Sequence, residues 1–303
     1  MEILERFRGC LLGLAAGDAL GTTVEFMPRS SFDPLEDMVG GGPFNLQPGQ
    51  WTDDTSMALC LAASLIEKGG FDARDQIERY CRWTEEGYMS STGTCFDIGS
   101  TVASALRRYR RTGEPYSGST EPRSAGNGSI MRLAPIPMKY FPDINQAERM
   151  AAESSKTTHG ADECLDACRL LSRIIVRALS GQSKDETLLA DRESFQGSRK
   201  IVAIARADYL DKNEDEVRGT GYVVQSLEAA LWCFARSSSY KDAVLSAANL
   251  GDDADTTAAI CGQVAGAYYG LEGIPKDWAE KLAMKKKIID LSDMLYSVKA
   301  NYD

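Results

Sequence analysis

The chain has 303 residues, of which 43% are hydrophobic and 26% are charged, and its formal net charge is −10. This composition is typical of a globular protein with a large core, and the negative charge argues against a nucleic-acid backbone or an anionic membrane as the main partner. The eight cysteines are scattered through apolar helical patterns, which favours reduced thiols in a cytoplasmic protein over a disulfide framework.

The first predicted element is a helix near the N-terminus, because apolar residues there recur at three- and four-residue spacing. Its apolar stretch is too short for a membrane span, and Asp18 interrupts it. Gly9, Gly13 and Gly17 recur every four residues. This spacing predicts close packing against another helix in the core.

Helical periodicity continues through most of the chain, and we find no long period-two alternation. The segments 56–66 and 256–269 are small and apolar on most sides, which predicts two central helices that are buried all round. Long loops rich in glycine and proline are expected at 27–50 and 112–128. The sequence therefore predicts an all-α fold, a compact multi-helix bundle that forms a single domain over residues 1–303.

Two clusters of carboxylates and threonines stand at the start of the two central helices. Capping of each helix accounts for one Asp or Thr at each position, but not for several adjacent carboxylates. Divalent cations offset repulsion between neighbouring carboxylates, and oxygen donors without thiolate or imidazole suit magnesium or manganese. From these residues by themselves, a metal site and simple helix capping both remain open as explanations of the clusters. The clusters contain Thr52, Asp53 and Asp54 in the first, and Asp252, Asp253, Asp255 and Thr256 in the second.

Further acidic residues and a glycine-rich loop add candidates. Asp18 and Glu25 flank the glycine that ends the first helix, and Asp18 is either a cap or the partner of a base. In "GNGSIMR", glycines are expected to allow left-handed backbone, and Ser129 is expected to open a helix. Backbone N–H groups would then point at one anion, although an ordinary loop explains the pattern equally well.

Three other positions carry open alternatives. His159 is the only histidine of the chain, and a lone histidine after a helix is more often a cap or a packing residue than a ligand. Asp97, in "CFDIGSTV", reads as a helix N-cap. Cys164 and Cys168 share one apolar stripe, and since no second pair of ligands exists we favour core packing over zinc binding.

Taken together, the motifs resemble the ADP-ribosylglycohydrolase family, which includes dinitrogenase-reductase-activating glycohydrolase. The resemblance covers about residues 9–270, and it rests on "GDALGTTVEF", "WTDDTSMAL", "GNGSIMR", "TH" at 158–159 and "GDDADTTAAI" in this order. It implies a compact all-α bundle with two divalent cations, Mg²⁺ or Mn²⁺, in a cleft.

The resemblance also implies roles for individual residues. The metal ligands would be Thr52, Asp53, Asp54, Asp253, Asp255 and Thr256, with one carboxylate bridging the cations. Asp252 matches a position that is usually glycine in the family, so it is the weaker candidate, with a helix cap as its alternative. Glu25 would be a ligand or a mobile gate. The expected catalytic residues are Asp97, Glu25 and Asp54, with Asp97 as general base or guanidinium partner.

On the substrate side, the resemblance makes the bound anion the pyrophosphate of ADP-ribose. The expected binding residues are Gly126, Asn127, Gly128, Ser129, His159 and Tyr222. For Tyr222, in "GTGYVVQSLEAALW", core packing is an equal alternative.

The implied reaction is hydrolysis of the α-N-glycosidic bond between ADP-ribose and a protein arginine. The substrate would be an ADP-ribosylated protein and ADP-ribose the product, with no membrane partner and nucleic acid disfavoured. A cytoplasmic monomer is expected. The alternatives are hydrolysis of a serine, acetyl-ester or nucleic-acid linkage, or a non-catalytic ADP-ribose-binding or structural relative.

Overall fold

The structure is a computed structural model that describes residues 1–299. Within this range the chain forms fourteen α-helices and no β-strand, which confirms the all-α prediction. In chain order the helices are α1 (Ile3–Gly21), α2 (Asp53–Glu67), α3 (Ala73–Glu86), α4 (Ser100–Thr112), α5 (Pro135–Tyr140), α6 (Ile144–Lys156), α7 (Asp162–Leu179), α8 (Lys184–Leu189), α9 (Arg199–Ala205), α10 (Val223–Arg236), α11 (Tyr240–Ala248), α12 (Ala254–Tyr269), α13 (Lys276–Lys281) and α14 (Lys285–Lys299).

Helices α1 and α12 form an antiparallel pair whose backbones touch. A Cβ atom built on Gly13 would lie 2.5 Å from the carbonyl oxygen of Gly262, and one on Gly17 would lie 2.2 Å from that of Ala258. Only glycine permits this approach, because any side chain would collide with the backbone of the partner helix. The close packing predicted from the glycine spacing is confirmed.

This pairing brings three helix ends together. Since α1 and α12 run antiparallel, the last turn of α1, with Asp18, lies beside the start of α12. The carboxylate of Asp18 also accepts hydrogen bonds from the backbone N–H groups of Thr52 at 2.8 Å and Thr55 at 3.0 Å. The start of α2 is therefore held at the same point.

A single cluster of buried apolar side chains extends from Phe7 on α1 to Leu295 on α14. Both α2 and α12 are buried along almost their whole length, as predicted for the central helices. All eight cysteines are free, and Cys164 and Cys168 lie in the core, which confirms the packing interpretation. No helix within residues 1–299 is both long enough and apolar enough to cross a bilayer.

Candidate active site

A cleft of about 730 Å³ opens where the three helix ends meet. Both carboxylate–threonine clusters contribute to its lining, together with segments 97–101 and 126–128 and with His159. Placing acidic groups at the starts of α2 and α12 is favourable, because the N-terminus of a helix carries partial positive charge.

The two clusters are in direct contact, although two hundred residues separate them in the sequence. The hydroxyl of Thr52 lies 3.1 Å from Oδ2 of Asp54 and 3.3 Å from Oδ2 of Asp255. The hydroxyl of Thr256 lies 3.4 Å from the same Asp54 oxygen. The other oxygen of Asp54, Oδ1, is buried without a hydrogen-bond partner. An unpartnered buried carboxylate oxygen is costly unless a cation or a proton compensates it.

The carboxylates form two sets that could each hold a cation. Oxygen atoms of Asp18, Asp54 and Asp255 lie within 4.8 Å of one another, and so do oxygen atoms of Glu25, Asp97 and Asp255. Asp255 belongs to both sets. Among the side chains that the structure describes, no lysine or arginine forms an ion pair with any of these five. Clustered oxygen donors without a cationic side chain fit hard divalent cations.

Burial and mutual repulsion shift the protonation of these groups. Burial, followed by repulsion from neighbouring carboxylates, raises the pKa values of Asp53, Asp54 and Asp255 well above their usual range. The same causes raise the pKa of Glu25 to about 9 and that of Asp97 to about 8. A bound cation would act in the opposite direction and favour the ionised carboxylates.

Capping does not explain the two clusters. At the starts of α2 and α12 the N-cap residues are Thr52 and Asp253, and neither side chain makes a capping hydrogen bond. Instead Asp18, from α1, caps α2 through its bonds to the N–H groups of Thr52 and Thr55. At α2 the interpretation by capping alone is therefore wrong, because the carboxylates at its head are not used for this purpose. At α12, Oδ1 of Asp255 accepts from the N–H group of Thr256 at 2.7 Å, which uses only one of the three carboxylates in that cluster.

Asp18 is the site residue that sequence reasoning did not assign. It is fully buried, and both threonine hydroxyls, of Thr52 and Thr55, also donate to it, at 2.9 Å and 2.6 Å. Its only signal in the sequence is a carboxylate within an otherwise small and apolar helix. The closeness to Asp54 and Asp255 comes from the packing of α1 on α12, which one sequence does not reveal.

The neighbours Asp252 and Asp253 differ in their surroundings. Oδ2 of Asp253 accepts a hydrogen bond from Nδ2 of Asn127 at 2.7 Å. Asp252 is exposed at the cleft with a φ of 56°, and its backbone, not its carboxylate, bonds to the segment after Glu25. The expectation that Asp252 caps the helix is wrong, since its carboxylate makes no hydrogen bond to α12.

The glycine-rich loop differs from the prediction. Ser129 lies in a turn and does not open a helix, because the next helix, α5, begins at Pro135. The three loop residues before Ser129 do not adopt the left-handed backbone either. Gly128 is needed instead for a close approach, since a Cβ atom there would lie 2.7 Å from Cε1 of His159.

Two N–H groups of this loop have no backbone partner. The N–H groups of Gly126 and Asn127 donate to backbone carbonyls at 2.8 Å and 3.1 Å, whereas those of Gly128 and Ser129 have no backbone partner. The Ser129 side chain is buried and does not line the cleft. Gly128, which lines the cleft, is therefore the residue of the two whose unpaired N–H group is placed to reach a ligand.

Asp97 and Tyr222 differ in whether their side chains reach the cleft. Asp97 lines the cleft with a φ of 56°, and since Gly99 is the N-cap of α4, the capping interpretation of Asp97 is wrong. Tyr222 pairs through its backbone with Gly126, but its hydroxyl bonds to Glu163 and Lys200 and its ring does not line the cleft.

His159 lines the cleft although only 2% of its surface is exposed. Burial and, to a smaller extent, the charge of Arg132 lower the pKa of His159 to about 3. The imidazole is therefore neutral at physiological pH.

Known proteins resemble this chain over nearly its whole length. An ADP-ribosylarginine hydrolase, Tri1, from Pseudomonas putida (strain GB-1) is 45% identical over 295 residues, which cover 97% of this chain and 79% of the relative. The ADP-ribosyl-dinitrogen reductase glycohydrolase of Rhodospirillum rubrum is 33% identical and aligns with 94% of this chain and 92% of its own length.

A solved structure agrees with these sequence matches. A chain of an ADP-ribosylglycohydrolase-related protein complex superposes with a TM-score of 0.87 and 40% sequence identity, and the match covers 98% of this chain and 99% of that one. The family described as ADP-ribosylglycohydrolase matches residues 1–303. With its all-α fold and its cleft of buried carboxylates, this chain belongs to the ADP-ribosylglycohydrolase family.

Proposed function

We propose that this protein is a metal-dependent hydrolase that removes ADP-ribose from modified arginine side chains of proteins. The observation that carries the proposal is the cluster of buried carboxylates in the cleft, in a chain that is 45% identical to an ADP-ribosylarginine hydrolase. The bond cleaved would be the α-N-glycosidic bond between the ribose and the guanidine, with ADP-ribose as the product.

Two divalent cations, Mg²⁺ or Mn²⁺, would be held by the carboxylates at the heads of α2 and α12. The ligands would be Thr52, Asp53, Asp54, Asp253, Asp255 and Thr256. Asp255 would contribute to the binding of both cations, because its carboxylate belongs to both sets. When bound, the cations would hold the ribose hydroxyls and so orient C1 for attack by water.

The chain's own residues would orient the substrate and move the protons. A carboxylate oxygen of Asp97, on the wall of the cleft, would take a proton from the attacking water, whose oxygen forms the new bond to the ribose C1. The C1–nitrogen bond breaks at the same carbon, and the proton that Asp97 has taken passes to the departing nitrogen, so that arginine leaves as the protonated guanidinium. Glu25 and Asp54 would complete the catalytic group, Glu25 from the segment after α1 and Asp54 from below the cleft.

The glycine-rich loop would bind the pyrophosphate. The unpaired N–H group of Gly128 and the edge of His159, both on the cleft wall, support this assignment. Asn127 would position Asp253 through its 2.7 Å hydrogen bond. Gly126 and Tyr222 would shape the wall through their backbone pairing.

A linkage-resolved assay tests the proposed substrate. Matched peptides carrying ADP-ribose on arginine or on serine are incubated with the protein and Mn²⁺, and free ADP-ribose is quantified. We expect release from the arginine peptide at a rate far above that from the serine peptide. Preferential release from serine would move the activity to the other linkage, and release from neither peptide, with no Mn²⁺ binding by calorimetry, would support a non-catalytic relative.

The cellular setting stays a prediction. The free cysteines support a reducing, cytoplasmic compartment. The core, continuous from Phe7 to Leu295, supports the prediction of a single domain. We expect a monomer, which sedimentation of the purified protein would test.

A further inference from the structure

Arg132, the last residue of "GNGSIMR", is a buried arginine that has no carboxylate as ion-pair partner within the described residues. Only 1% of its surface is exposed, and it forms no ion pair among the described residues. Its guanidinium lies over the ring of Tyr80 at 4.6 Å, and Nη2 donates to the hydroxyl of Thr158 at 2.7 Å, while Nε has no partner. Burying a charge with so few partners costs stability. We therefore expect Arg132 to serve a function that offsets this cost.

The hydrogen bonds around Thr158 satisfy every donor in only one arrangement of protons. A guanidinium has donors and no acceptor, so the Thr158 oxygen must accept from Arg132. The hydroxyl proton of Thr158 then needs an acceptor, and the one atom in reach is Nδ1 of His159, at 2.9 Å. Nδ1 therefore accepts. Because the imidazole is neutral, its single proton is on Nε2.

We propose that Arg132 is a positioning residue that acts through Thr158 to hold His159 in the Nε2–H tautomer. The imidazole then presents a hydrogen-bond donor to the cleft. Nε2 has no partner within the described part of the chain, and a Cβ atom on Gly128 would lie 3.1 Å from it. Because Gly128 has no side chain, the Nε2–H group of His159 has free space beside the loop.

This inference rests on the proposed function for its consequence: an Nε2–H group suits a phosphate or ribose oxygen of ADP-ribose, whereas a bare Nε2 would repel it. The donor is also neutral, so it keeps its proton without relying on the pH of the solution. The arrangement of protons itself does not depend on the substrate.

The test uses the fact that the chain has one histidine. Long-range ¹H–¹⁵N correlation spectra of histidine-labelled protein without ligand report the protonation of each ring nitrogen directly. We expect the wild type to show protonated Nε2 and unprotonated Nδ1. A wild-type spectrum with protonated Nδ1 would overturn the proposal, whatever the variants do.

Variants of Arg132 then test whether this residue sets the tautomer of His159. Arg132→Gln supplies an acceptor for the Thr158 hydroxyl, and Arg132→Met removes the imposed donor, so in both we expect the Nδ1–H tautomer to appear. Arg132→Lys keeps a donor and should keep the wild-type spectrum. Thermal melting shows which variants are folded. If both the Gln and Met variants are folded and show only the wild-type tautomer, the relay is refuted.

Binding of ADP-ribose, measured by calorimetry, separates this inference from the proposed function. In the Met and Gln variants we expect affinity to fall about two- to tenfold, in proportion to the lost fraction of the competent tautomer, with recovery in the Lys variant. If the wild type shows the expected tautomer but does not bind ADP-ribose, the proposed function fails and the proton arrangement stands. A changed tautomer with unchanged affinity would overturn the role of the donor.

Discussion

Replacing Glu25 by glutamine should stabilise the metal-free protein at alkaline pH. Glu25 is 4% exposed, and burial together with repulsion from Asp97 raises its pKa from 4.5 to about 9. Between these two values the unfolded chain loses the Glu25 proton and the folded chain keeps it. The unfolded state then binds fewer protons, so stability falls as pH rises across this window and levels off above it.

The size of the effect follows from one proton. A single retained proton makes the free energy of unfolding fall by about 1.4 kcal/mol per pH unit, hence by about 3 kcal/mol between about pH 6 and about pH 8. For a chain of 303 residues, with about 2 cal/mol/K of unfolding entropy per residue, this corresponds to a fall in Tm of about 5 °C. Glutamine does not titrate and should remove this part of the pH dependence.

The assay is a set of thermal melts in chelator at several pH values. The difference between the Tm of Glu25→Gln and that of the wild type should grow as pH rises, whereas Glu272→Gln, at an exposed position, should follow the wild type. With Mn²⁺ present the order should reverse, since the variant lacks a candidate ligand. Parallel curves for Glu25→Gln and wild type in chelator would refute the raised pKa.

Three further substitutions give separate tests. Gly17→Ala should lower the free energy of unfolding by about 1–3 kcal/mol in a denaturant melt, because its Cβ would lie 2.2 Å from a backbone oxygen of α12. Gly99→Ala is the control, since open space surrounds that position, and it should lower the free energy by less than about 1 kcal/mol. Equal losses in the two variants would contradict the packing account. Asn127→Asp should weaken ADP-ribose binding at least about tenfold by calorimetry, since it replaces the donor to Asp253 with a second carboxylate, and unchanged affinity would exclude Asn127 from the site. Asp191→Asn should lower stability by about 3–5 kcal/mol, because this buried carboxylate pairs with two arginines far from the cleft, while kcat of the folded protein stays unchanged. A loss of kcat at a temperature where that variant is folded would contradict a purely structural role.

The helical architecture could be predicted because its signals are local. The glycine spacing at Gly9, Gly13 and Gly17 indicated a close helix contact before the partner helix was known, and the structure supplies α12 as that partner. The two carboxylate clusters stood out because neighbouring like charges require compensation. That they meet in one cleft depends on three helix ends converging, which is a property of the packing.

The sequence-based predictions were wrong or incomplete where the role of a residue depends on backbone conformation or on a residue far away in the chain. Asp18 was left as a cap or ion-pair partner, because nothing local shows that it caps a different helix while lying beside Asp54 and Asp255. Ser129 was expected to begin a helix, but a turn continues to Pro135. Glycine at 128 was attributed to left-handed backbone, whereas the structure uses it to let the imidazole approach.

The metal dependence of a single turnover tests the central claim most directly. Arginine-ADP-ribosylated peptide is mixed with excess protein, and ADP-ribose release is followed in Mn²⁺, in chelator and with the Asp53→Ala/Asp255→Ala double variant. The account predicts release in Mn²⁺, loss of release in chelator that added metal restores, and no release by the folded double variant. Undiminished release in chelator or by that variant would contradict a catalytic site built from the heads of α2 and α12.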